Sequence, residues 1–193
     1  MKIVKTVLSI IMLVFLLTGC SQSFMLNEMS VVQGISLDEI GGEVTVCIQY
    51  LDLNKGSGKN EGLNSSLTSN AQGSGKTLVE AMTKLASTMP DKMYYGQTKL
   101  IIIGDAFYEK HMTELKNELL RNNNFRCDLL LSRSKEGRKV IENGFRNERV
   151  PIDGVCKELK SENALVNVND YLGDNGIKLP RIISLNDSGY IVY

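Results

Sequence analysis

From Glu43 to Leu51 apolar and polar positions alternate with a period of two. Val44, Val46, Ile48 and Tyr50 fall on one side, Glu43, Thr45, Cys47 and Gln49 on the other. Successive side chains of a strand point to opposite faces, so this pattern predicts a strand with one buried and one mostly wet face. A second β-rich run, Met29–Leu37, precedes it, and the two flank Gly41-Gly42, the signature of a hairpin turn. From Asn54 to Ser74 the chain turns to Asn, Gly, Ser and Lys with scarcely an apolar side chain, which predicts a flexible polar loop.

The period then changes to that of a helix. Leu78, Met82, Leu85 and Met89 form one stripe with Ala81 beside it, predicting a helix over 77–89 that stops at Pro90-Asp91. Thr98–Gly104 (TKLIIIG) reads as a buried strand. A helix over 106–121 follows, with Asp105 as its cap and Tyr108, Met112, Leu115 and Leu119 as its stripe. Cys127–Ser132 reads as another buried strand and Ser134 caps a short helix closed by Gly144. Pro151 opens a helix that lays Ile152, Val155, Cys156 and Leu159 on one side. The expected fold is α+β or α/β: an N-terminal β-hairpin plus a strand–helix–strand–helix layer, a mixed sheet packed by amphipathic helices with a right-handed crossover. Two short β-like runs around residues 186–189 close the chain.

Composition narrows what such a fold can do. The 193 residues include 22 Lys+Arg, 22 Asp+Glu, one His and four Cys, and 42% are apolar. That length suits one domain with a proper core. Zero net charge gives no electrostatic footprint for nucleic acid. The N-terminus stands apart. Lys2 and Lys5 precede an apolar run to Leu17, and Leu16-Leu17-Thr18-Gly19-Cys20 is similar to a bacterial lipobox. This predicts a signal peptide over residues 1–19 and a diacylated Cys20, because two acyl chains hold a protein stably on a membrane where one does not. Removing residues 1–19 takes two lysines and no acid, so the mature chain is slightly acidic. Cys47, Cys127 and Cys156 remain; they read as buried free thiols, with one disulfide among them left open.

Candidate chemistry is sparse. Gly73-Ser74-Gly75-Lys76-Thr77 looks at first like a phosphate loop, but Asn70 stands where the first glycine belongs and no hydrophobic strand leads in. It reads instead as a turn and cap for the following helix. His111 is the one histidine base, at the edge of an apolar stripe and with no nucleophile motif near it. Tyr94-Tyr95 could stack a ligand, though aromatics entering a buried strand read first as core. Neither a metal site, a cofactor site nor a catalytic constellation emerges, so the expectation is a protein that is not an enzyme.

Three ordered stretches carry a resemblance. Leu26–Asp38 ends in Gly34-Ile35-Ser36-Leu37-Asp38; Gly75-Lys76-Thr77-Leu78-Val79-Glu80-Ala81 opens a helix; Tyr94–Asp105 holds Gly96, Lys99 and Gly104. With the lipobox, and a weaker match from Leu120-Arg121 to Phe125-Arg126, they resemble the C subunit of the GerA-type nutrient germinant receptors, the Ger(x)C lipoproteins of spore germination. The resemblance covers roughly residues 10 to 170. Ser21, Gln22 and Met25 depart from the Trp-Asp and Glu usual after the family's cysteine, and Gln97 stands where His is common.

The resemblance implies a non-catalytic subunit anchored through Cys20 on the outer face of the spore's inner membrane, assembling with A and B membrane subunits into a nutrient receptor. Its motif positions here are Gly34, Asp38, Gly75, Lys76, Thr77, Glu80, Ala81, Gly96, Lys99 and Gly104. Family members run to about twice this length, so the expected organisation is a signal over 1–19, an N-terminal domain over 20–178, and 179–193 as the start of a connection to a further domain. The rival reading is a solute-binding lipoprotein serving a transporter, which needs two lobes around a cleft.

Overall fold

Gly41 and Gly42 both adopt positive φ, 62° and 84°, which only glycine reaches cheaply; the two-residue turn they make matches the twist of the strands it joins. In the computed structural model, which describes residues 29–52, 66–122, 124–145, 148–174, 177–182, 184–185 and 191–192, this turn connects β1 (Met29–Ile40) to β2 (Glu43–Leu51). The signal peptide expected over residues 1–19 and Cys20 lie outside the described residues.

Seven strands build one mixed sheet. β3 (Thr68–Gly75) runs antiparallel to β2 along its whole length, from Leu51 opposite Thr68 to Val44 opposite Gly75. On the other side of β1 lie β4 (Lys92–Tyr94) and then β5 (Leu100–Ile103), both parallel to it, followed by β6 (Leu130–Ser134) and β7 (Arg181–Ile182), also parallel. The path across the sheet is β3-β2-β1-β5-β6-β7, with β4 beside the start of β1. A separate antiparallel pair, β8 (Ser184–Leu185) and β9 (Ile191–Val192), corresponds to the two short terminal runs.

Helices cover both faces of the sheet, which gives the expected α+β architecture three layers. On one face α1 (Leu78–Thr88), α2 (Asp105–Lys110) and α3 (Met112–Arg121) bury Leu78, Leu85, Phe107, Leu115 and Leu119 against Ile35, Val46, Ile48, Ile101 and Ile103. On the other, α4 (Gly137–Asn143) and α5 (Pro151–Ser161) bury Val140, Ile141, Ile152, Val155 and Leu159 against Cys47, Leu100 and Ile102. A last short helix, α6 (Val168–Gly173), is opened by a capping box of Asn167 and Asp170.

Several expectations are corrected. The second face of β2 is not wet: Cys47 is 2% exposed and Gln49 is fully buried, because α4 and α5 roof it. Of the loop predicted over 54–74, residues 54–65 lie outside the described residues and the part from Thr68 onward is strand; its small polar residues suit an edge whose backbone is bonded to β2. The helix expected over 106–121 breaks at His111, whose ψ of 9° turns the axis while its N–H still bonds Phe107 at 2.8 Å. Asp105 does not cap α2. It is the first helical residue, and its carboxylate holds Arg133 at 2.9 Å and also Arg181. β6 begins three residues later than expected, since Cys127 and Asp128 occupy a turn. Cys127 is accordingly exposed; Cys47 and Cys156 are buried, and all three are free thiols. Leu179 and Ile182 are core residues, and β7 is bonded to β6.

Candidate functional site

The motif positions fall into three places. The first is the turn from β3 into α1. Gly73 and Gly75 have no side chain because α1 lies directly on β3: a Cβ on Gly73 would stand 2.5 Å from the Ala81 carbonyl, and one on Gly75 would stand 2.8 Å from the Ala81 nitrogen. Thr77 Oγ1 accepts the Glu80 N–H at 3.2 Å, and Glu80 Oε2 accepts the Lys76 N–H at 2.9 Å, a reciprocal cap set one residue early. Glu114 Oε2, from α3, accepts the Leu78 N–H at 3.0 Å. A phosphate would need these donors, and the protein's own hydroxyl and carboxylates hold them. The Gly-Lys-Thr turn is thus a helix cap. The Lys76 N–H and Lys84 hold the Glu80 carboxyl below its ordinary range.

The same corner contains His111. Its Nδ1 lies 2.9 Å from Glu114 Oε1 and its Nε2 3.3 Å from Glu39 Oε2, while Lys110 Nζ donates to Glu39 Oε1 at 2.6 Å. Lys110, the last residue of α2, therefore reaches across to β1. Both ring nitrogens face carboxylates, Nδ1 in a hydrogen bond with Glu114 and Nε2 in a looser contact with Glu39. Lys110 draws the Glu39 carboxyl below its usual value against the opposing effect of burial. For Glu114, burial pushes up, but the Leu78 N–H and His111 outweigh it and the net direction is down.

The second place is the crevice between the carboxyl ends of β1 and β5, where the order of strands reverses and open α/β sheets commonly bind ligands. Here Asp38 fills it. Ser36 Oγ donates to Asp38 Oδ2 at 3.3 Å, and the other oxygen packs so close to Gly104 that a Cβ there would be 2.1 Å from it. Burial pushes the Asp38 carboxyl up, with the Ser36 hydrogen bond opposing. Gly34, earlier on β1, admits Ile141 and Ile152 from the second helical layer.

The third place is the opposite pole, ahead of β5. Tyr95 is core: it is buried, 5.2 Å from the Phe125 ring, and burial pushes its hydroxyl up to about 12. Tyr94 folds back so that its hydroxyl would be 2.3 Å from a Cβ on Gly96. Lys99 Nζ pairs with Asp153 Oδ1 at 2.5 Å across the mouth of a groove of about 460 Å³. That groove is lined by Gln97, Lys99, Arg126, Asp128, Leu130 and Lys160, among others. Four separated stretches supply its lining, so sequence spacing gives no sign of it. Among the described residues no cluster of His, Cys, Asp and Glu could hold a metal ion.

Residues 23–167, about three-quarters of the chain, match the model of the spore germination protein N-terminal domain. The chain belongs to that family. Its membership ties the chain to spore germination, and the matched region runs from ahead of β1 to the residue before α6. No curated protein and no solved structure matches significantly. Among the described residues no helix is long and apolar enough to cross a membrane.

Proposed function

We propose that this spore germination protein is the lipid-anchored C subunit of a nutrient germinant receptor, acting as a non-catalytic assembly element beside A and B membrane subunits. The observation that carries the reading is the family match over residues 23–167 directly behind a lipobox ending at Cys20. Two acyl chains on Cys20 confine the domain to the extracytoplasmic membrane surface, which for a spore is the inner membrane's outer face. Confinement raises its effective concentration near membrane partners without any strong contact of its own. The seating of His111 between Glu39 and Glu114 and the self-capped Gly-Lys-Thr turn both suit a structural role for these residues.

Anchoring and receptor membership are tested separately. The mature protein should carry a mass increment of a diacylglyceryl group on Cys20 and take up a fatty-acid label, and Cys20→Ala should abolish both. Label retained in the variant, or absent from the native protein, overturns the anchor. Deleting the gene should block germination with at least one nutrient and leave non-nutrient germination intact. Unchanged responses to every nutrient overturn the receptor role.

A further inference from the structure

The groove ahead of β5 and β6 gathers more positive charge than its carboxylates neutralise. Arg126 forms a fork with Asp128, Nε to Oδ1 at 2.7 Å and Nη2 to Oδ2 at 2.6 Å. Lys99 is held by Asp153 on α5. Lys160, one turn beyond Cys156 on the same helix, is exposed; it makes no ion pair among the described residues and feels Asp128 only as a neighbouring charge. Three cations and one carboxylate, Asp128, therefore line a concave space of about 460 Å³, and a second carboxylate, Asp153, pairs with Lys99 from outside that lining. Leu130, Cys156 and Leu165 give it an apolar wall, and Leu165 is 42% exposed at the rim.

Its position adds a second argument. β5 and β6 are parallel to β1, and the Lys99 N–H bonds the Gln33 carbonyl at 2.9 Å, so the groove opens at the pole from which β1 enters the domain. Nine peptide steps separate Cys20 from Met29, a reach of roughly 30 Å at full extension. A lipid on Cys20 would keep this pole within that tether length of the bilayer, so the groove can reach the surface at which lysine and arginine attract anionic headgroups.

We propose that this groove binds a phosphate ester, with Lys160 and Arg126 as its principal charge partners, Lys99 completing the cationic wall and the apolar wall packing against the carbon atoms of the esterified group. Such a phosphate could come from a lipid headgroup or from a soluble ester. The site itself is independent of the anchor; only a lipid source rests on the lipidated Cys20 proposed above.

The test is isothermal titration of the full chain, held in nonionic micelles, with glycerol phosphate and with uncharged glycerol. Glycerol phosphate should bind and glycerol should not, with an affinity that falls as salt rises. Lys160→Gln and Arg126→Gln should each weaken binding roughly fivefold, from the attraction one cation contributes near an anionic headgroup. Lys139→Gln, on α4 outside the groove, should leave it unchanged. Circular dichroism identical to the native chain would show that the exposed substitutions leave the fold intact. Micelles doped with phosphatidylglycerol should compete with glycerol phosphate if the source is lipid; undiminished binding there would assign the groove to soluble phosphate esters and still uphold it. No binding, or binding indifferent to both substitutions, overturns the site. A lipidated Cys20 together with a groove that binds nothing would sink this inference while leaving the anchor standing.

Discussion

The carboxylate of Glu114 accepts the backbone N–H of Leu78 at 3.0 Å, so the first turn of α1 is capped by a side chain from α3 rather than by its own sequence alone. Because Glu114 also holds His111, one residue ties α1 to the break between α2 and α3.

Glu114→Ala frees that N–H and should destabilise the fold by about 1 kcal/mol, the ordinary cost of losing a helix cap. Its pKa and those of Glu39 and Glu80 are lowered in the folded protein. Such groups contribute stability that is present above the unfolded carboxylate value of 4.5 and lost as pH falls through the folded values. Urea midpoints should therefore drop below about pH 4.5, and Glu114→Ala should show a shallower drop. An identical acid profile in the variant would mean that Glu114 contributes nothing to it.

Gln49 joins the two helices of the other layer. Its Nε2 donates to the Ile141 carbonyl at 2.7 Å near the end of α4, and its Oε1 accepts the Ile152 N–H at 3.3 Å at the start of α5. Gln49→Leu keeps the volume but strands one buried acceptor and one buried donor, which should cost about 2–4 kcal/mol. In urea titrations this would appear as a lower midpoint with an unchanged slope; an unchanged midpoint would show that α4 and α5 need no polar clamp.

Gln49 also shows where the sequence stops being legible. Period two correctly separates Ile48 from Cys47 and Gln49, but it cannot say that a second helical layer covers the polar side. The run Thr68–Gly75 is opaque for a related reason, since an edge strand held by backbone bonds and pressed under α1 needs small residues, not apolar ones. The stripe of α1, the Gly41-Gly42 turn and the Pro151 helix start were all legible, because each is decided by neighbours within one or two turns. Of the candidate sites, the helix cap at Thr77 could be read locally; the groove and the filling of the β1–β5 crevice by Asp38 arise from residues far apart in sequence.

The three described thiols should differ sharply in reactivity. Burial pushes Cys47 up to about 12 and Cys156 up to about 11, and little thiolate forms at either near neutral pH. Cys127 sits exposed in the turn before β6. A maleimide pulse on the native protein should label Cys127 at once and reach Cys47 and Cys156 only after denaturant is added, as peptide mass mapping would report. Rapid native labelling of Cys47 would mean that the α4–α5 layer opens readily.

Gly104 and Asp38 make the most discriminating test of the β1–β5 crevice. Gly104 has φ −64° and ψ 151°, a conformation any residue adopts, so glycine is not required there for backbone freedom. What requires it is space: a Cβ would stand 2.1 Å from Asp38 Oδ1. Gly104→Ala should cost about 1–3 kcal/mol by overpacking. Asp38→Ala removes the obstructing oxygen, so adding Gly104→Ala to that background should cost far less, a positive coupling readable in a double-mutant cycle of urea midpoints. Gly73→Ala supplies the contrast. Its Cβ would meet the backbone of Ala81 and Leu85, which no single side-chain deletion can clear, so it should remain destabilising in the Asp38→Ala background. Equal costs for Gly104→Ala in both backgrounds would show that the crevice relaxes by moving β1 away from β5 rather than by seating Asp38.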